Sequence, residues 1–263
     1  MHIPKLSLFI ITKNEERRLP MVLESVKGLA DEIVIVDSGS TDGTERVAER
    51  YGARFIYHEW ESYDLQAKWA EEQCAHRWVL RLDADEVISS ELAEEIMEVR
   101  RTGTKDAYWL RIADMIVGRS RPNPWVWHYK RVRLYHRGAY SMTGTTGHDV
   151  AQKIDPNATE ELLKGFVHHF SFLSIYHLIQ KHNFYSSEQI RQAVIDGKNY
   201  SPWRMVGAMS FNFLKRFIID RFFLYGFWGF IYSMDYAFLR FLKFSKFYEH
   251  NQLVKYKYPP KDN

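Results

Sequence analysis

Three apolar runs of strand length, Leu6–Ile11, Ile33–Val36 and Trp78–Leu82, each break off into a cluster of acids and hydroxyls: Thr12–Glu16, Asp37–Thr44 and Asp83–Glu86. Short, near-continuous runs rich in Val, Ile and Leu suit strands covered on both faces, and parallel strands of that kind must be joined by helices. The intervening stretches provide them. Leu19, Val22, Leu23 and Val26 recur at helical spacing, Val47, Ala48 and Tyr51 suggest a second helix closed by Gly52, and Leu65 to Cys74 a third. A weaker strand at Arg54–His58 makes the Asp83 strand the fourth. The pattern predicts an α/β chain with a mostly parallel central sheet and helices on both faces. Ligands in such sheets sit beyond the carboxyl ends of the strands, and all three polar clusters fall there.

Past Glu86, Ser89 is an N-cap candidate for a helix carrying Leu92, Ile96, Met97 and Val99. Tyr108–Ile112 and Arg131–Tyr135 read as strands that alternate with charge, so that one face is wet or lines a cleft. Between them, Gly118 to Trp127 holds Pro122, Pro124, Trp125 and Trp127; its indoles either cover a ligand or pack on the domain. The polar stretch 151–165 reads as a boundary, giving a first domain over 1–165 and a C-terminal helical region over 166–263. That region mixes large apolar residues with Arg204, Lys215, Arg216, Arg221, Arg240, Lys243 and Lys246. Its longest uncharged run, Phe222 to Met234, is shorter than the roughly 20 residues that cross a bilayer. Interleaved aromatic and basic residues suit helices lying in an anionic interface, or equally a helical appendage packed on the domain or in a homo-oligomer.

Composition excludes little but is consistent. A formal net charge of +3 gives no global field that would draw nucleic acid. A lone cysteine, Cys74, forbids an internal disulfide and suits a reducing compartment. Met1 to Pro4 runs straight into the first strand with no secretory h-region, so the expectation is a cytoplasmic protein.

The turn Asp37-Ser-Gly-Ser-Thr-Asp-Gly-Thr44 offers glycines for close backbone approach and acids and hydroxyls for ribose or base. It is neither a Gly-x-Gly-x-x-Gly fingerprint nor a P-loop. Asp83 and Asp85 are two apart, so on a continuing strand both would face one way, near enough to share a divalent cation with a diphosphate. A solvated turn after a strand explains Asp-x-Asp as well; the recurrence of acids at two strand ends is what that reading leaves over.

Taken in order, Thr12-Lys-Asn-Glu-Glu16, Asp37-Ser-Gly-Ser-Thr-Asp42 and Asp83-Ala-Asp-Glu86 resemble the family 2 inverting glycosyltransferases of the GT-A fold. Gly147-His-Asp149, His169-Phe-Ser-Phe172 and Lys181-His-Asn-Phe-Tyr-Ser186 extend the likeness to the branch that adds glucose to the lipopolysaccharide inner core. The resemblance implies a nucleotide pocket lined by Thr12, Asn14, Glu15, Ser38 and Ala84, with Asp37 accepting the uracil imide N–H and Asp83 reaching the ribose. Lys68 stands where relatives often carry Arg. Asp85 would ligate Mg²⁺ or Mn²⁺, with His169 a further metal contact and His168 its rival. Asp149 would be the general base, assisted by His148. The implied partners are a UDP-sugar donor, a lipid-linked saccharide acceptor and an anionic membrane surface, at the inner face of the cytoplasmic membrane.

Two other readings stand beside this one. Asp83-Ala-Asp-Glu-Val87 satisfies the Asp-x-Asp-x-Thr/Val pattern of haloacid-dehalogenase-like phosphatases, although there the motif closes the first strand of the core and here three strands precede it. A catalytically inactive GT-A scaffold at the membrane would share the fold without the chemistry.

Overall fold

Both faces of the strand Leu6–Thr12 are buried: Leu6, Leu8 and Ile10 join one apolar cluster and Phe9 joins another on the far side. A strand so placed needs helices above and below it, and chain order supplies them. The elements run β1 (Leu6–Thr12), α1 (Leu19–Ser25), β2 (Glu32–Asp37), α2 (Thr44–Arg50), β3 (Arg54–Tyr57), α3 (Tyr63–Glu72), β4 (Trp78–Asp83), β5 (Glu86–Ile88) and α4 (Ser90–Thr102). There follow β6 (Ala107–Asp114), β7 (Tyr129–His136), β8 (Tyr140–Ser141), β9 (Gln152–Lys153), β10 (Glu160–His169), α5 (Ile175–Ile195), α6 (Pro202–Leu214) and α7 (Phe227–Tyr256). The structure is a computed structural model that describes residues 3–144, 150–171, 173–198 and 200–256. It divides into two units, Met1–Met115 with His128–Ser171, and Ile116–Trp127 with Phe172–Asn263.

In the first unit, α1, α2 and α4 cover one face of an eight-stranded sheet through Leu19, Val22, Leu23, Val47, Leu92 and Ile96, and α3 covers the other through Ala67 and Ala70. Strand order is β3-β2-β1-β4-β7-β6-β10-β5. The first four strands are mutually parallel, β7 is antiparallel to β4 and β6, β6 and β10 run parallel, and β5 is antiparallel to β10. β1, β2, β4, β6 and β10 therefore all point the same way. Their last residues, Thr12, Asp37, Asp83, Asp114 and His169, share one edge of the sheet.

Two local features lock this arrangement. Ser89 caps α4 by accepting from the Leu92 amide at 3.2 Å, while its own amide donates to the Phe166 carbonyl at 3.0 Å. Gly165 lets β10 lie against α4, since a Cβ there would come within 2.7 Å of the Leu92 backbone. Sequence reading treats 151–165 as a polar boundary, yet residues 160–169 form the longest strand of the sheet, because a register shift between Leu162 and Phe166 breaks the alternation that would reveal it. On the other face, buried Glu71 accepts from the Tyr135 hydroxyl, from Ser141 Oγ at 2.6 Å and from the Met142 amide at 3.2 Å, fixing the chain just before residues 145–149.

The second unit is helical. Ile116, Val126, Leu178, Phe222, Tyr225 and Tyr232 form its core. A π-helical turn, Lys215–Ile219, and a 3-10 turn, Phe222–Tyr225, reverse the chain between α6 and α7. The Lys181–Ser186 motif lies on α5, where its members tie that helix to α7. Lys246 Nζ donates to the Asn183 carbonyl and side chain, Ser186 Oγ and Ser187 Oγ at 2.6–2.8 Å, and His182 lies 3.2 Å from Asp235. Among the described residues no helix is long and apolar enough to cross a membrane.

Candidate active site

β1, β2 and β4 are neighbours in the sheet, and their register sets Thr12 beside Asp37 and Ile11 beside Asp83. Strands lie about 4.8 Å apart, so the three clusters singled out in the sequence converge on a patch the width of a nucleotide. The first two interlock. Asn14, held in the left-handed region at φ 56°, donates its amide to Ser40 Oγ at 2.7 Å, and its side-chain oxygen accepts the Thr41 amide at 2.8 Å. The Glu15 amide reaches Thr44 Oγ1 at 2.8 Å, and Glu16 accepts the Gly43 amide at 3.0 Å. Asp37 folds over its own turn, accepting the Gly39 and Ser40 amides at 2.7 and 2.6 Å through Oδ2 and the Ser40 hydroxyl through Oδ1. A carboxylate accepts about four hydrogen bonds, so Oδ1 keeps a lone pair for a donor such as an imide. Ser38 is anchored on the Thr12 carbonyl.

Sequence spacing places Asp83 and Asp85 on one continuing strand. Instead β4 ends at Asp83, the chain turns through Ala84, and β5 leaves antiparallel to β10. The two carboxylates consequently have different partners. Asp83 binds Arg81 at 2.8 Å and Arg133 at 2.9 Å. Burial would raise its pKa, but Arg133 and then Arg81 outweigh that and hold it well below the usual carboxylate range. Arg133 also reaches Glu86 at 2.7 Å. Glu86 is fully buried, accepts the Asp83 amide at 3.0 Å, and has its carboxyl pushed upward by that burial against the pull of Arg133.

Asp85 sits on the other side of this turn. Its Oδ2 accepts from Arg18 at 3.0 Å, and Arg18 is itself gripped by both oxygens of Glu15 and donates to the Phe170 carbonyl at 3.0 Å. Its Oδ1 faces His169 Nε2 at 3.5 Å. The opposite nitrogen of that ring, Nδ1, lies 2.8 Å from Asp114 and 3.1 Å from the Tyr129 hydroxyl. The pairing of β10 with β5 brings them together, since it sets His169 beside Glu86 while the Phe170 amide binds the Asp85 carbonyl at 2.8 Å. Burial alone would lower the imidazole pKa; Asp85 and Asp114 more than offset it and hold His169 well above its ordinary value.

The donor set suits a hard divalent ion. A histidine whose Nδ1 is oriented by a carboxylate presents Nε2 as a ligand, and here Nε2 and Asp85 Oδ1 face one another across a gap. No group of three or more His, Cys, Asp or Glu side chains gathers around one point among the described residues.

The remaining candidates are spread. Lys68, on α3, lies beside Gly144: a Cβ there would be 3.2 Å from its Cδ. His148 and Asp149 lie outside the described residues. His168 pairs with Val87 in the β10–β5 ladder. Trp109 donates its indole N–H to Glu160 at 2.7 Å, at the end of β10 remote from His169. Sequence reasoning passed over Arg18, Arg81, Arg133 and Asp114, which hold the named acids and His169 in place.

The family model for glycosyl transferase family 2 matches residues 7–158. The chain belongs to that family. An uncharacterized glycosyltransferase of Rickettsia typhi is 39% identical over 93% of this chain and 87% of its own length. The lipopolysaccharide core biosynthesis glycosyltransferase LpsC of Rhizobium meliloti is 32% identical over 95% of each chain. Among solved structures, Staphylococcus aureus TarS 1–349 in complex with UDP aligns with 98% of this chain and 94% of its own, at 15% identity and a TM-score of 0.45. The family match makes the chain a glycosyltransferase of the GT-A fold, and three of its strand-end clusters share one edge of the sheet.

Arg133 neutralises the fully buried Glu86 as well as the partly exposed Asp83, which keeps Arg81, so its replacement strands the Glu86 carboxyl. Arg133→Met should cost about 3–5 kcal/mol of stability, the usual penalty for stranding a buried charge. A thermal or urea melt checks it; an unchanged midpoint would mean that water reaches Glu86.

Proposed function

We propose that this protein transfers a hexose, glucose from UDP-glucose, with inversion onto a lipid-linked saccharide such as lipopolysaccharide core, using a divalent cation, at the inner face of the cytoplasmic membrane. The observation that carries the reading is the edge shared by Asp37, Asp83, Asp85 and His169. There one carboxylate turn is available to a base and another, opposed by an oriented imidazole, to a diphosphate-bound ion. The relative named for lipopolysaccharide core biosynthesis supports the acceptor class.

On this reading Asp37, with Thr12, Asn14, Glu15 and Ser38 shaping its turn, receives the uracil, and Asp83 and Ala84 border the ribose. Asp85 and His169 would hold Mg²⁺ or Mn²⁺, whose charge stabilises the departing diphosphate. Arg18 binds Asp85 Oδ2, while Oδ1 lies 3.5 Å from His169 Nε2. Lys68 adds positive charge beside Gly144. Asp149, with His148 next to it, takes the proton from the acceptor hydroxyl as that oxygen bonds to the anomeric carbon, on the sugar face opposite the bond to UDP that breaks.

The phosphatase alternative needs the first aspartate as a nucleophile, but Asp83 is clamped by Arg81 and Arg133 and closes the fourth strand. A thermal-shift panel of UDP-glucose, UDP-galactose, UDP, GDP-mannose and CMP with and without Mn²⁺ tests the donor assignment. A ligand that binds only the native state raises the melting point, by about 2.7 kcal/mol of stability at a hundred times Kd. UDP-glucose with Mn²⁺ should give the largest rise; an equal rise with GDP-mannose, or none that depends on Mn²⁺, would defeat the donor or the metal respectively.

A further inference from the structure

The turn between α6 and α7 is built with its apolar side outward. Leu214, Ile218, Ile219, Phe223, Leu224, Phe227 and Phe230 are exposed, Ile219 at 67% and Phe227 at 76%. They form one surface: Phe217 packs within about 6 Å of Phe213, Phe223 and Phe230, and Phe227 stacks on Phe230. Monomeric proteins rarely leave so large an apolar patch uncovered without using it. The tip is also rigid, because buried Asp220 ties Lys215 and Arg216 together while its carbonyl accepts the Trp127 amide at 3.0 Å.

Charge indicates the occupant. Residues 200–248 carry seven basic side chains and two acids, Asp220 and Asp235. Asp220 is buried against Lys215 and Arg216, and Asp235 is nearly buried beside His182. Around the tip, Arg119, Arg121 and Arg221 are exposed, and the exposed Trp125 and Trp127 flank it, with Lys215 and Arg216 over the Trp127 ring. An apolar point ringed by indoles and bases, with both neighbouring acids turned inward, is complementary to an anionic lipid surface. A second copy docked about a two-fold axis would set these bases against their own images.

We propose that residues 214–230, with Trp125 and Trp127, form a wedge that enters the interfacial layer of an anionic membrane, so that the enzyme meets its acceptor there. The assignment gives a location to the membrane contact in the reading above and rests on it. It also moves that contact away from Arg240, which reaches Asn212, and Lys246, which is spent on α5.

The test is co-sedimentation of the full chain with vesicles of phosphatidylcholine alone or mixed with phosphatidylglycerol. Wild type should bind the anionic vesicles and hardly the neutral ones. Leu214→Asp, Ile219→Asp and Phe227→Asp combined should lower partitioning more than about tenfold, since each such side chain contributes about that much to transfer from water. Arg221→Glu should weaken only the anionic preference. All four positions are exposed, so the melting point and the nucleotide-induced shift should not move. Equal binding by wild type and the triple variant, no binding by wild type, or a wild-type dimer that the triple variant splits without any vesicle binding would each overturn the proposal. Vesicle binding that depends on the tip in a protein that ignores UDP-sugars would instead sink the donor assignment and leave the wedge standing.

Discussion

Asp85→Asn should lower the transfer rate by at least about 10³-fold while leaving the protein folded. The size follows from what the group is asked to do: stabilising charge on a departing diphosphate is worth several kcal/mol, and about 4 kcal/mol is a factor of 10³. The asparagine retains an oxygen for Arg18 but not the anionic Oδ1 that faces His169 Nε2. Arg18 keeps both oxygens of Glu15 and the Phe170 carbonyl, so no buried charge is stranded and the melting point should fall far less than in Arg133→Met. Two measurements separate the roles: Mn²⁺ should no longer tighten UDP binding in the variant, while UDP alone should bind both proteins similarly. Transfer by Asp85→Asn at the wild-type rate would remove the metal assignment and leave the fold and family untouched.

How much of this was legible in the sequence depends on how each residue is supported. The first four strands were, because buried parallel strands must be apolar on both faces and acids that follow them stand out: Thr12, Asp37 and Asp83 close β1, β2 and β4 as the pattern requires. The capped start of α4 at Ser89 was legible for the same local reason. What failed was whatever long-range pairing decides. β5 has only three residues and no pattern of its own; it exists because β10 pairs with it, and that pairing brings Asp85 to Arg18 and His169.

The buried bases are the other gap. In composition Arg18, Arg81 and Arg133 resemble solvated charges; only Arg81, inside the otherwise apolar run Trp78–Leu82, hinted at an acid waiting for it, whereas Arg133 lies in a strand that alternates with charge. The Lys181–Ser186 motif illustrates the converse case. It extends the resemblance to the lipopolysaccharide branch, and in the fold Asn183 and Ser186 receive Lys246 and hold α5 against α7. A family signature of this kind marks a packing requirement of the helical unit as readily as a reacting group.

The second large effect concerns the proton. Asp149→Asn should reduce transfer by about 10²–10⁴-fold, the range a single general base contributes, with the UDP-glucose-induced thermal shift unchanged, because the uracil and cation contacts are assigned to Asp37 and Asp85. Slow hydrolysis of UDP-glucose should persist in Asp149→Asn and vanish in Asp85→Asn. Water can reach the anomeric carbon without a positioned base, but the diphosphate cannot leave easily without its charge being met. The acid limb of the rate–pH profile supplies an independent readout: it reports deprotonation of the base in wild type and should flatten in Asp149→Asn. A variant that transfers glucose as fast as wild type, with the acid limb intact, would assign the proton to another group and turn attention to His148.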